Sequence, residues 1–329
     1  MAEVLVDVTR GGLVESRHRG DLAVVDTTGR VVFSLGEPHL RTYWRSAAKP
    51  FQAVTLVEDG GIGRFGLDGP ELAVIAASHG GEEEHTRTVA SLLAKIGCSE
   101  DDLACGAAVP LHRPAAESLM RRNLPFGPLH NNCSGKHAGM LALCQLKGWP
   151  LQGYHYSGHP LQENTLGIIA EVTATPAGDI TTGVDGCGVP VFGLPLSRMA
   201  LAYARLASPR AEGNHGRALT AIRDAMVRHP FFVAGTGRLD TALMEITGGR
   251  VAAKAGAEGV YCAALVDQGL GLSLKIEDGS LRAVAPVIIE VMRHLNWLTE
   301  EELARLEAWR HPPVRNHRGE VVGELSCRL

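Results

Sequence analysis

The alternation of apolar and polar positions divides the chain into two kinds of segment. Short β-branched runs open it: Val4-Leu5-Val6-Asp7-Val8, Leu22-Ala23-Val24-Val25-Asp26 and Val31-Val32-Phe33. Gly11-Gly12 and Thr28-Gly29 supply turn chemistry between them, so this stretch reads as a β-meander. From Glu82 the period changes. Val89, Leu92, Leu93 and Ile96 recur at helical spacing behind an acidic start, and Gly97 supplies a stop, which predicts a helix over residues 82–96. Further helices are predicted over residues 136–147, 161–172, 196–206 and 217–228.

Strands return late, over residues 251–254, 260–264 and 272–276, and Asp278-Gly279 is a hairpin signal. Helices over residues 283–295 and 300–309 follow, and residues 321–325 read as a last strand. Strands at both ends with helices between them predict an α/β (α+β) fold. Its sheet is mainly antiparallel, assembled from distant segments and covered by helices, in a single compact two-lobed catalytic domain over residues 1–329.

Composition narrows the class. With 45% hydrophobic and 21% charged residues the chain is that of a globular protein and not a disordered one. The charge of 32 − 36 = −4 excludes a binder held to nucleic acid mainly by electrostatics. No apolar run reaches the roughly 18 residues of a membrane span. The start, Met1-Ala2-Glu3-Val4, lacks the basic and apolar regions of a secretory segment, and the seven cysteines are irregularly spaced. These features read as a cytoplasmic protein with reduced thiols, where metal binding or burial explains cysteine better than disulfides do. The 39 glycines point to many tight turns and close backbone approaches.

Three short motifs carry candidate chemistry. In Ser46-Ala47-Ala48-Lys49, a helix starting near Ser46 puts the serine and lysine on one face. A lysine whose pKa is lowered can then deprotonate the hydroxyl, though a capping serine beside a surface lysine has the same spacing. Ser78-His79-Gly80-Gly81 breaks the apolar run Leu72 to Ala77, as a site loop or as a plain turn that caps the next helix. Lys254-Ala255-Gly256 closes a predicted strand. Their order follows the S-x-x-K, S-D-N, K-T-G series of penicillin-recognising serine enzymes. The second element here lacks the asparagine, and the third has alanine for threonine.

A fourth constellation is Asn131-Asn132-Cys133-Ser134-Gly135-Lys136-His137, with a second cysteine in Asp185-Gly186-Cys187-Gly188. Two loop cysteines that converge can hold a soft metal ion, and spacing selects Cys133, His137 and Cys187 as its ligands. Two buried, inert thiols are the plain alternative. Arg45 adjoins Ser46, and Gly235-Thr236-Gly237-Arg238 forms another glycine loop. No strand followed by G-x-G-x-x-G supports a dinucleotide fold, and no H-E-x-x-H motif occurs.

The stretches Arg45-Ser46-Ala47-Ala48-Lys49-Pro50-Phe51-Gln52, Ser78-His79-Gly80-Gly81, His130 to His137, Val184 to Gly188, Ala234 to Arg238 and Lys254 to Gly259 together resemble the rhizobial-type (class 3, asparaginase II) L-asparaginases. The resemblance implies a fold like serine β-lactamases and glutaminases, a homodimer, and hydrolysis of L-asparagine to L-aspartate and ammonia. It implies two Ser–Lys pairs, Ser46 with Lys49 and Ser78 with Lys254. It implies zinc on Cys133, Lys136 and Cys187, which replaces His137 by Lys136 as ligand and moves His137 to the substrate side. Arg45, Asp185, Gly235, Thr236 and Glu258 are the further substrate-binding candidates. Arg45 or a glycine-loop N–H suits the substrate carboxylate, and Asp185 or Glu258 suits its ammonium. The expected chemistry is attack by Ser46 through Lys49 to form an acyl-enzyme, with Ser78 as the alternative nucleophile and zinc positioning substrate. Competing readings are a glutaminase or β-lactamase-like acyl-hydrolase, and a non-catalytic zinc-binding regulator on the same fold.

Overall fold

The computed structural model describes residues 2–209 and 214–329. Its strands are β1 (Glu3–Arg10), β2 (Leu13–Asp26), β3 (Val31–Leu35), β4 (Arg41–Tyr43), β5 (Thr181–Val184), β6 (Pro190–Pro195), β7 (Val251–Ala255), β8 (Val260–Leu265), β9 (Leu270–Ile276), β10 (Pro313–Arg315) and β11 (Val321–Cys327). The chain divides into two compact units. One comprises Met1–Thr42, Pro195–Ala207 and Ala242–Leu329; the other comprises Tyr43–Leu194 and Ser208–Thr241.

The first unit is built on a sheet of order β10-β11-β1-β2-β9-β8-β7, with β3 beside β2. Its described ladders are antiparallel. Both ends of the chain therefore meet in one sheet, as the distribution of strand-like runs predicts. β2 begins at Leu13, well before the predicted run at Leu22, because its polar first half pairs with β1 and its apolar second half pairs with β3. The opposite edge of β2, from Gly20 to Asp26, pairs with β9. Leu22 to Val25 are fully buried, which explains a continuous apolar run where a half-exposed strand would alternate. The Leu196–Ala207 helix packs on β2, β8 and β9. Ser273 of β9 donates its hydroxyl to Leu196 O at 2.7 Å there.

The hairpin expected at Asp278-Gly279 does not form. Asp278 Oδ1 accepts the Ser280 N–H at 2.9 Å, and the chain turns into a 3-10 turn (Leu281–Ala283) and the Val284–His294 helix. The turn chemistry is real, but the buried Val284, Val287, Ile288 and Val291 after it follow a helical period.

The second unit is mainly helical. The Gly69–Ile75 helix starts at a capping box, in which Asp68 accepts from the Glu71 N–H and Glu71 accepts from the Asp68 N–H. It packs against the Glu83–Lys95, Ser134–Lys147 and Gly216–Arg228 helices. In the Ser134–Lys147 helix every residue from Ser134 to Cys144 is buried. Gly135 faces Val74 so closely that a Cβ there would overlap the Val74 carbonyl. This approach lets the site-bearing helix lie against the one that leads to Ser78. β5 and β6 form a hairpin whose turn carries Asp185 and Cys187, closed by Asp185 N–H to Val189 O at 2.8 Å and Gly188 N–H to Asp185 O at 2.9 Å.

Candidate active site

Lys49 is the centre of the arrangement. It follows the 3-10 turn Arg45–Ala48, opens the short helix Lys49–Gln52 and is 1% exposed. Its Nζ lies 2.5 Å from Ala77 O, 3.0 Å from Ser78 Oγ and 3.3 Å from Asn132 O. Burial lowers its pKa below the ordinary lysine range; the Cys133 charge pulls upward and Lys136 pushes down again, leaving it lowered. Ser78 follows the buried Gly69–Ile75 helix, and its N–H donates to Val233 O at 2.9 Å. The sequence pairs Lys49 with Ser46, whereas the described hydrogen bond runs to Ser78. Ser46 is half-buried on the 3-10 turn, and no described hydrogen bond joins it to the Lys49 amine.

Cys133 immediately precedes the Ser134–Lys147 helix, and its sulfur is hydrogen-bonded to that of Cys187. That bond places Cys133 well below the ordinary thiol range, with Lys49 and Lys136 also favouring its charge. The same bond pushes Cys187 up, and burial adds to the rise. Lys136 donates to Cys187 Sγ at 3.0 Å. Burial opposes its charge, but the two sulfurs and Asp185 overcome that and raise its pKa. Among the described residues no three His, Cys, Asp or Glu side chains form a metal-ligand set. Two sulfurs and an amine do converge, and once deprotonated this donor set suits zinc.

Arg45 and Asp185 engage each other, with Nε to Oδ1 at 2.9 Å. Burial raises the Asp185 carboxyl, and Lys136, the Gly186 N–H and Arg45 more than reverse that, leaving it lowered. Arg45 sits at φ 53°, a left-handed conformation uncommon outside glycine that often marks functional sites.

His137 lies fully buried one residue after Lys136, and its Nδ1 is 2.6 Å from Tyr154 Oη. That oxygen already accepts the Ala104 N–H at 2.9 Å, so its proton goes to Nδ1 and the His137 proton sits on Nε2. Nε2 has no hydrogen-bond partner among the described residues. Burial, then Lys136 and Lys49, keep the ring neutral. A buried donor without an acceptor is what a site keeps for a ligand. His79 is held in the same tautomer. Gly81 N–H donates to its Nδ1 at 3.1 Å, leaving Nε2 to donate to Ser134 Oγ at 2.9 Å.

Thr236 gives both its N–H and its hydroxyl to Glu82, at 2.9 and 2.7 Å. Gly235 beside it has φ 104°. The remaining two candidates belong to the first unit. Lys254 is fully buried on β7, paired with Cys262, and its Nζ donates to Ala255 O at 2.7 Å. Glu258 occupies the turn after β7 at φ 57°, with its carbonyl accepting from Lys275. Sequence reasoning did not single out Tyr154, Asn132 or Glu82. Tyr154 and Asn132 act through a hydroxyl and a main-chain carbonyl without motif spacing. Glu82 read only as the acidic start of a helix.

A buried lysine on a serine hydroxyl, beside paired thiols, is an arrangement suited to a hydrolase that works by acyl transfer. The family model for L-asparaginase II matches residues 6–327, and the chain belongs to that family. A search of curated proteins gives no match. Among solved structures the chain is similar to a β-lactamase from Mycobacterium bovis, at 15% identity over 88% of this chain and 95% of that one, with a TM-score of 0.39. A putative β-lactamase from Bacteroides dorei gives 13% identity over 83% and 93%, with a TM-score of 0.42. The protein Mglu in its native form gives 14% over 85% of this chain and 61% of that one, at 0.39. Membership rests on the family match and not on these distant folds. No helix among the described residues is long and apolar enough to cross a membrane.

Proposed function

We propose that this chain hydrolyses the side-chain amide of L-asparagine to L-aspartate and ammonia through a serine acyl-enzyme. The observation that carries the reading is the Lys49 amine held on Ser78 Oγ. Two carbonyls, Ala77 O and Asn132 O, can only accept, so they take two N–H bonds. Ser78 Oγ lies within hydrogen-bond reach of the same nitrogen, as does the Cys133 sulfur. In a neutral amine the lone pair can take the hydroxyl proton. Ser78 then attacks the amide carbon, the amine takes the proton and returns it to the leaving nitrogen, ammonia departs, and water releases aspartate. Ser46 is the second reading, favoured by its adjacency to Lys49 on the 3-10 turn and by a hydroxyl not tied to that amine.

The His137 Nε2–H suits the substrate's carboxylate or carbonyl oxygen. Asp185 or Glu258 suits its ammonium, and Lys254 a proton relay. Cys133, Lys136 and Cys187 would hold zinc, whose positive charge when bound would draw the substrate carboxylate. The same reading includes a homodimer.

The decisive test is ammonia release from L-asparagine, measured beside L-glutamine and a chromogenic β-lactam. Turnover of asparagine is expected; turnover of the β-lactam alone would sink the reading. Mass-spectrometric mapping of the trapped acyl group decides between Ser78 and Ser46. If zinc positions substrate, chelation raises KM and leaves kcat within a few-fold. Complete loss of kcat at unchanged KM, with the fold intact, would contradict that role.

A further inference from the structure

We infer that Glu82 is a positioning residue: its carboxylate clasps the Gly235-Thr236 loop to the Ser78-His79-Gly80-Gly81 loop, and this clasp sets substrate affinity. The inference rests on the amidase reading above for its substrate, L-asparagine. Glu82 directly follows the Ser78 loop and directly precedes the Glu83–Lys95 helix. Both its oxygens reach across to one residue far along the chain. Oε1 accepts the Thr236 N–H at 2.9 Å, and Oε2 accepts the Thr236 hydroxyl at 2.7 Å. The Glu82 side chain is 12% exposed, so water competes little for these charge-assisted bonds.

The approach is close on both sides. A Cβ on Gly235 would lie 2.5 Å from Glu82 Oε1, 3.1 Å from His85 Cε1 and 3.3 Å from Gly80 N. A Cβ on Gly80 would lie 3.0 Å from the same carboxylate oxygen. The carboxylate thus fills the gap between the two glycine loops, and glycine is required at 235 both for φ 104° and for this space. Elsewhere the loop is tied by Ser78 N–H to Val233 O at 2.9 Å and by Thr241 Oγ1 to Gly235 O at 2.8 Å. Thr236 and Gly237 themselves are exposed, so no apolar packing fixes them. Of the ties described for residues 235–237, the clasp is the one made by an ionisable side chain. What the tie supplies is a fixed loop that need not be ordered when substrate binds.

The test uses the whole chain in three variants: Glu82→Ala, Glu82→Gln and Thr236→Val. Glu82→Ala and Thr236→Val are expected to raise KM for L-asparagine about ten-fold or more, with kcat within about three-fold. Glu82→Gln is expected to fall between Glu82→Ala and the parent, because it keeps acceptor capacity but loses the charge. Amide hydrogen exchange over residues 234–238 is expected to accelerate in the Ala and Val variants, with Tm and exchange elsewhere unchanged. An unchanged KM in Glu82→Ala would overturn the inference. So would a fall in Tm with faster exchange throughout, which is what a merely structural role gives. If the parent protein releases no ammonia from L-asparagine, the amidase reading fails separately. Exchange then decides the clasp alone: acceleration confined to residues 234–238 upholds it, and none overturns it.

Discussion

At the scale of single residues, the buried amine of Lys49 dominates. Methionine there matches the length of the chain but leaves the Ala77 and Asn132 carbonyls without the amine, so Lys49→Met is expected to cost about 1–3 kcal/mol of stability while still folding. Its kcat is expected to fall by about 10³ or more, because the amine that would take the Ser78 proton is gone. Steady-state rates beside a thermal melt check both halves; a well-folded variant with parental kcat would remove Lys49 from the chemistry. The Ser46-x-x-Lys49 spacing made this lysine legible, but not its partner. Lys49 and Ser78 are separated by 29 positions, and their meeting depends on how helices pack. Glu82 and Thr236 stand 154 positions apart, which no local pattern reports.

Among elements, those with a strong period were readable. The long helices and the apolar strands appear within a few residues of their expected ends, because burial of one face imposes the period that reveals them. The first half of β2 was not readable, since its residues are polar and largely exposed and are held by pairing with β1. The short helices Val54–Glu58 and Gly61–Phe65 escaped notice too, being single turns held by packing. The contact at Gly135 gives a prediction at this scale. Gly135→Ala places a methyl against the Val74 carbonyl, so the two helices must separate. A loss of about 1–3 kcal/mol is expected in denaturant unfolding. Stabilisation, the usual result of replacing a helical glycine with alanine, would show that the helices do not touch there.

For the molecule as a whole, the union of both chain ends in one sheet was legible from the distribution of strands, whereas the strand order was not. Order is set by which edges remain open once β2 has paired with β1, β3 and β9. The first unit also carries an acid-sensitive anchor. Glu290 of the Val284–His294 helix accepts from Arg293 at 2.7 Å and from Arg310 at 2.8 Å. Burial raises its pKa, and the two arginines reverse that and leave it below the ordinary glutamate value. A carboxyl lowered on folding stabilises the folded state above its unfolded pKa, and this is lost as pH falls through the folded value. Glu290→Gln is therefore expected to destabilise by about 1–3 kcal/mol at neutral pH. Its unfolding curve and the parent's should converge near pH 3; a gap of equal size at both pH values would exclude this anchor.

Of the acceptors around the Lys49 amine, two are main-chain carbonyls, those of Ala77 and Asn132. Point mutation rewrites side chains and leaves carbonyls in place. The aim of the amine is therefore inherited from the path of the backbone, and positions 77 and 132 can drift in identity while their oxygens stay where they are. Over generations, the side chains that selection must guard around this amine are fewer than the contacts it makes.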